Sequence, residues 1–273
     1  MCRLLGAASP APATVEAVLG AGQRQVFADM AHLHRDGWGT AWRDPEGVVR
    51  RHVRHTSGVG DAELEQTLAS GPASARIVHL RLATMGLACT RENTHPFVAD
   101  GMAFAHNGSL EPTGPVERLI GPEQRASLTG TTDSERYFAA VRTVVASGAS
   151  VFDALVDTVA VLRGAYPDRS LNALLLTPTE LFAVHASEGV PIPHGVFAAS
   201  GIPTDLLPRH HVDAYYQMRT RRGEDGSILF ASSGLDVAGW DAVPAETVTR
   251  VDLATLTTET VPLSAATPTR LVA

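Results

Sequence analysis

Two long helical segments stand side by side in the middle of the chain, flanked by strands on both sides, and this order narrows the fold more than any other feature. The first, TTDSERYFAAVRTVVAS (Thr131–Ser147), opens with a capping-box pattern: Thr132 is followed three residues later by Glu135. Tyr137, Val141, Val144 and Val145 then recur at helical spacing. The second, SVFDALVDTVAVLRGA, starts at Ser150 with Asp153 in the same box position. Strands are expected before the pair at Cys2–Ala8, on either side of the Asp44–Gly47 turn, at Ala75–Leu82 and at Met102–Gly108. LNALLLT, ELFAVHA, ILFASS and the residues from Val248 follow as strands. Shorter helices are expected at Thr14–Leu19 and Asp61–Ala69. A parallel α/β sheet would alternate its elements, so the order favours a layered α+β domain. No repeat or linker divides the 273 residues, and one domain is expected. RTRRGEDG, within Pro203–Gly226, reads as a solvated loop.

Composition removes several classes of function. A net charge of -7 argues against a general nucleic-acid binder. All 22 Lys+Arg residues are arginine, which excludes a lysine Schiff base and a phosphate-loop lysine. No apolar run reaches the length of a membrane span, and no secretory signal is evident, so a cytoplasmic protein is expected. Two cysteines, Cys2 and Cys89, make no disulfide framework. The pairs His32/His34 and His210/His211 invite a zinc reading. In a strand His32 and His34 would share a face, but no ligand set is completed, and they read as surface or core histidines.

Four short stretches carry the chemistry. If Met1 is removed, Cys2 bears both a thiol and a free α-amine, and the amine, titrating near ~8, can take the thiol proton. In HLRLAT (His79–Thr84), Arg81 sits among apolar residues at a strand end. It is suited to an internal salt bridge or to a substrate carboxylate. AHNGSL (Ala105–Leu110) is either a simple turn or an oxyanion site made by the Asn107 amide and a backbone N–H at Gly108. TTDSE caps a helix and could also present Asp133 to an ammonium group.

In order, MCRLLG, RDGWGTAW (Arg35–Trp42), HLRLAT, ENTHPF (Glu92–Phe97), AHNGSL and TTDSE resemble the glutaminase domain of class II glutamine amidotransferases, of the N-terminal-nucleophile hydrolase superfamily. The first half matches closely. The second matches more loosely, through FASSGLDVAGWDAVP (Phe230–Pro244), similar to compact stand-alone members such as the ergothioneine-pathway γ-glutamyl hydrolase. The resemblance implies a four-layer α/β/β/α sandwich over residues 2–273, with the last ~20 residues peripheral and no metal or other cofactor. It implies that Cys2 is the nucleophile and that Asn107 and Gly108 form the oxyanion hole. Arg81, with Thr84 nearby, would bind the substrate α-carboxylate, and Asp133 its ammonium. Asp36–Gly39, including Gly37 and Trp38, would lie near the nucleophile; His95 would be structural; the loop around Cys89 would be a flap. The implied reaction cleaves the γ-glutamyl amide of glutamine or of a conjugate through a thioester. Any ammonia released would go to a separate synthetase, since no such domain follows here. Leu82 and Met85 replace the Trp and His common in amidotransferases that make glucosamine phosphate or phosphoribosylamine. The alternatives are a non-catalytic glutamine-binding regulatory subunit and a penicillin- or bile-salt-type acylase, the latter disfavoured by Arg81, Asp133 and the HNG motif.

Overall fold

The computed structural model describes residues 2–84 and 86–265. Met1, Met85 of the expected flap and residues 266–273 of the expected peripheral end lie outside the described residues. The strands of the first half are β1 (Arg3–Ala13), β2 (Trp38–Arg43), β3 (Val49–Arg54), β4 (Ala73–Leu80), β5 (Phe97–Ala99) and β6 (Met102–Asn107). Those of the second half are β7 (Asn172–Leu176), β8 (Glu180–His185), β9 (Met218–Arg222), β10 (Ile228–Ser232), β11 (Asp241–Ala242), β12 (Thr247–Asp252) and β13 (Thr258–Pro262). The helices are α1 (Val15–Leu19), α2 (Ala21–Asp29), α3 (Ala62–Ser70), α4 (Gly114–Glu117), α5 (Pro122–Ala126), α6 (Asp133–Ala146), α7 (Val151–Ala165) and α8 (His194–Ala199).

These elements form two sheets, ordered β11-β9-β10-β1-β4-β2-β3 and β13-β12-β8-β7-β6-β5. The named strands pair antiparallel throughout. Side-chain alternation with period two gives each sheet two apolar faces. Leu4 and Ala8 of β1 and Ile77 of β4 meet Ala103, Ala105, Leu174 and Leu181 between the sheets. Leu5, Ala7, Val78 and Leu80 point the other way, onto Val15, Leu19, Phe27, Leu64 and Leu68 of the first helical layer. Phe104, Leu175 and Phe182 pack outward on α6 and α7. Three apolar layers thus separate four structural ones, and the expected four-layer α/β/β/α sandwich is present. β13 lies at a sheet edge and is mostly exposed.

The caps form as read, with one difference. Thr132 accepts from the Glu135 N–H at 3.1 Å, and Ser150 from the Asp153 N–H at 3.1 Å. The Glu135 carboxylate, however, reaches past Thr132 to the N–H groups of Thr129 (2.9 Å) and Gly130 (2.8 Å), fixing the loop that leads into α6. RTRRGEDG requires a correction. Arg219–Arg222 belong to β9, hydrogen-bonded between β10 and β11, and only the Gly223–Ser227 turn is a loop. The arginines tolerate the sheet because their stems cover apolar surface while their heads find acceptors. Arg221 lies over the Trp240 ring and donates to Val18 O.

One close approach fixes a small residue. A Cβ on Gly39 of β2 would lie 2.2 Å from the His95 carbonyl and 2.6 Å from the Val53 side chain. The obstructing carbonyl is backbone, so the strand must shift. Gly39→Ala is expected to cost about 1–3 kcal/mol of stability, measured as a lowered urea midpoint at unchanged slope.

Candidate active site

The strand pattern that builds the core also assembles the site. Cys2, two residues before the inward-facing Leu4, is buried, and its backbone N donates to Asn107 Oδ1 at 2.7 Å. Asn107 ends β6, in the same inward alternation as Ala103 and Ala105. One hydrogen bond therefore ties the start of the first sheet's middle strand to the second sheet. The other end of that amide, Asn107 Nδ2, is buried with no partner among the described residues. A free buried donor is costly unless a ligand oxygen takes it, although Asn107 itself is not among the residues that line the cavity beside Cys2. Gly108 next to it cannot carry a side chain, because a Cβ would sit 1.8 Å from the Ser170 carbonyl.

A cavity of about 20 Å³ is lined by Cys2, Arg81, Thr84, His106, Gly108 and Asp133, among others. Two opposite charges face it without partners of their own. Arg81 is 2% exposed, and its guanidinium reaches only the carbonyls of Asp36 (3.3 Å) and Ala88 (3.4 Å). No internal salt bridge engages it among the described residues. Asp133 is 6% exposed, and among the described residues its carboxylate accepts from the Leu110 and Ser134 backbone N–H groups and from no cation. Burying either charge unpaired is expensive. A bound molecule carrying both a carboxylate and an ammonium would remove both penalties together.

The surrounding loops are cross-tied. Asp36 Oδ2 accepts from Ala83 N–H at 2.8 Å and so holds the turn that carries Thr84. Asn93 of ENTHPF donates to Ala88 O at 3.1 Å and accepts from Thr131 N–H at 2.8 Å, linking the expected flap to the loop before Asp133. Cys89 on that flap is exposed and free.

Not every expected residue reaches the cavity. Gly37 acts through its carbonyl, which accepts from Arg81 N–H at 2.8 Å. Trp38 points into the first helical layer, fully buried, with its indole N–H donating to Asp61 at 2.9 Å. Neither lines the cavity, because alternation along β2 turns Trp38 outward. His95, expected to be structural, does line it, its ring tilted against that of His79 with centroids 4.3 Å apart. The metal reading loses its geometric premise. His32 ends a 3-10 turn and is exposed, whereas His34 is buried, and no metal-ligand cluster occurs among the described residues.

Sequence reading missed three groups. His79, two residues before Arg81, faces the thiol. Burial pushes the Cys2 thiol up, but the ammonium at the start of the unprocessed chain and the His79 imidazole pull it down, and with Met1 in place the pull prevails, leaving it well below the ordinary value. His106 is held neutral chiefly by burial. Its Nε2–H donates to Ser170 O at 2.9 Å, and its Nδ1 accepts from the Ser134 hydroxyl at 2.9 Å. Arg3 is fully buried beside His34, His211 and Tyr215. Period-two spacing from Arg81 could have drawn attention to His79; no local signal marks Arg3, because its partners are some 200 residues away.

Burial, then Arg3, pushes His211 down to about 2. Its unfolded-state value is near ~6.5, so the unfolded chain gains a proton that the native one refuses. This contribution is complete above pH ~6.5 and is lost as pH falls toward 2. His211→Phe should flatten the acid loss of unfolding free energy by up to about 1.4 kcal/mol per pH unit between pH ~6 and ~4, measured by urea denaturation.

Comparison with known proteins agrees with this geometry. The family model for class-II glutamine amidotransferases matches residues 1–192. Glutamine–fructose-6-phosphate aminotransferase (isomerizing) of Pseudomonas syringae is 34% identical over 203 residues, covering 72% of this chain but 30% of that protein. The chain thus spans under a third of that relative. Gamma-glutamyl-hercynylcysteine sulfoxide hydrolase of Mycolicibacterium smegmatis is 27% identical over 190 residues, covering 66% of this chain and 78% of that one. Among solved structures, a glutamine aminotransferase class-II domain protein from Silicibacter pomeroyi superposes with a TM-score of 0.64 at 17% identity, over 96% of this chain and 99% of its own. Bacillus subtilis glutamine phosphoribosylpyrophosphate amidotransferase gives 0.59 at 16% identity, over 97% of this chain and 50% of its own. The match across residues 1–192, together with the shared fold, places the chain in the class-II glutamine amidotransferase family.

Proposed function

We propose that this chain hydrolyses γ-glutamyl amides, either glutamine or a γ-glutamyl conjugate, through a thioester on Cys2. The observation that carries the reading is the pair of unpartnered buried charges, Arg81 and Asp133, lining one cavity with the thiol. The α-carboxylate of a glutamyl group pairs with Arg81 and its α-ammonium with Asp133, and the side-chain amide then extends toward Cys2. Thr84 borders the same cavity. Leu87 of the loop that leads to Cys89 borders the cavity as well, so that loop stands over the position of the substrate.

With Met1 removed, the chemistry balances as follows. The α-amine of Cys2 takes the Sγ proton, and sulfur attacks the amide carbon. Asn107 Nδ2 and the Gly108 N–H donate to the resulting oxyanion. The ammonium returns its proton to the departing nitrogen, which leaves as ammonia or an amine. Water then attacks the thioester, giving its proton to the amine, and glutamate departs as that proton returns to sulfur. Ammonia released this way would serve a separate synthetase. The two free cysteines support a cytoplasmic setting, and among the described residues no helix is long and apolar enough to cross a membrane. The length match to the sulfoxide hydrolase supports a conjugate as substrate alongside glutamine.

Glutamate release is to be measured from glutamine and from a panel of γ-glutamyl amines. Asn107→Ala should lower kcat by roughly 10²–10³, and Asp133→Asn should raise KM while leaving the thiol alkylatable. Absence of glutamate from every member of the panel would overturn the reading, and glutamine binding without turnover would instead indicate a regulatory subunit.

The amine's role has its own test. An uncleavable extension ahead of Cys2 removes the free base, and turnover should fall by about 10²–10⁴ with the thermal transition unchanged. Full activity in that protein would show that the base lies elsewhere.

A further inference from the structure

We propose that Arg3, the residue after the nucleophile, keeps the α-amine of Cys2 in its neutral, proton-accepting form. The inference rests on the proposed role of that amine as base.

Arg3 is fully buried, yet no carboxylate pairs with it among the described residues. Its Nη1 donates to the Ser233 carbonyl at 2.8 Å and to the Ser233 hydroxyl at 2.5 Å, and more distantly to Tyr215 O at 3.4 Å. Its guanidinium lies 3.9 Å from the Tyr215 ring centroid, and Nη2 has no partner among the described residues. These contacts orient the charge without neutralising it. An internal arginine of this kind is a poor stability element, since an apolar residue of similar volume would avoid the desolvation cost. Its position gives a reason for retaining it.

Nε donates to the Cys2 carbonyl oxygen at 2.6 Å. Within one residue the carbonyl oxygen and the amine nitrogen are roughly 3–4 Å apart by covalent geometry, which puts the guanidinium edge within about 6 Å of the amine. At an effective dielectric of about 20, a full positive charge at that range disfavours the ammonium by roughly one to two pH units. The hydrogen bond acts in the same direction, drawing electron density from the carbonyl attached to the amine-bearing carbon.

The other groups around the pair do not cancel this field. On the Arg3 side, His34 and His211 are kept neutral by burial and by Arg3 itself. Burial likewise keeps Tyr215 and Tyr216 un-ionised. On the cavity side, His95 and His106 are held neutral chiefly by burial. His79 faces the thiol from β4, and Arg81 adds a second positive charge until a substrate carboxylate meets it. Asp133 and the Cys2 thiolate oppose Arg3. A substrate ammonium cancels the first, and the second exists only once the amine or solvent has taken the proton. The titration seen in turnover therefore belongs to the thiol–amine pair and must be separated to test the claim.

Cys2→Ser, with its initiator methionine removed, isolates the amine. NMR titration of the α-carbon of residue 2 should give a midpoint one to two pH units below the ordinary value of ~8. A midpoint at or above ~8 overturns the proposal, whatever any Arg3 variant does. In that background Arg3→Met should raise the midpoint toward ~8, and Arg3→Lys should keep it low; a midpoint unmoved by Arg3→Met also overturns it. With Cys2 intact, Arg3→Met should move the acid limb of kcat/KM upward by a similar interval and recover rate at alkaline pH. A uniform loss at every pH with an unmoved limb would leave Arg3 a packing residue and overturn the proposal. The NMR midpoint needs no turnover, so a chain inactive on every γ-glutamyl amide sinks the proposed function, while the titration still decides the role of Arg3.

Discussion

The contact on which the arrangement depends is the hydrogen bond from Cys2 N to Asn107 Oδ1, 2.7 Å long and buried between the ends of two sheets. It joins the first residue before β1 to the last residue of β6. Both strands are interior to their sheets, so neither end can drift without moving neighbours on either side. It also commits the amide oxygen to Cys2, while Nδ2 of the same amide has no partner among the described residues. One bond thus orients both Cys2 and the Asn107 amide.

Around that contact the protein holds buried charges that its own residues do not neutralise. Arg3, Arg81 and Asp133 are each under a tenth exposed, and none forms an ion pair among the described residues. Isolated buried charges are destabilising, and in a chain of marginal stability they persist only where something else requires them. Arg81 and Asp133 line the cavity with no counter-charge among the described residues. Arg3 sits behind Cys2 and donates to its carbonyl oxygen. Neutral histidines fill much of the remaining volume, so the local field is set by a few fixed charges rather than by many titrating groups. The loss of stability expected on acidification is the consequence for the whole fold.

Much of this was legible beforehand. The capped helices, the Asp44–Gly47 hairpin and the inward–outward alternation of β1 and β4 are local patterns, and local patterns survive folding when tertiary packing agrees with them. The motif residues Cys2, Arg81, Thr84, Gly108 and Asp133 line one cavity, whereas Asn107 meets it only through its neighbours Cys2 and Gly108. Other readings failed where the deciding partner was distant. Arg219–Arg222 look solvated until Trp240 and Val18 are placed beside Arg221. Trp38 looks like a site residue until Asp61 and the helical layer claim its indole. His32 and His34 look equivalent until the chain turns between them and buries only the second.

The sequence by itself determined the layered strand–helix–strand order, the caps of α6 and α7 and the identity of the groups able to do chemistry, because each depends on residues within a few positions of one another. Only the tertiary structure decided which buried charges go unpaired, which amide nitrogen is left free, and that Arg3 lies against Ser233 and Tyr215. Those outcomes depend on contacts between residues a hundred or two hundred positions apart, and no local pattern records whether a distant carboxylate or carbonyl will arrive.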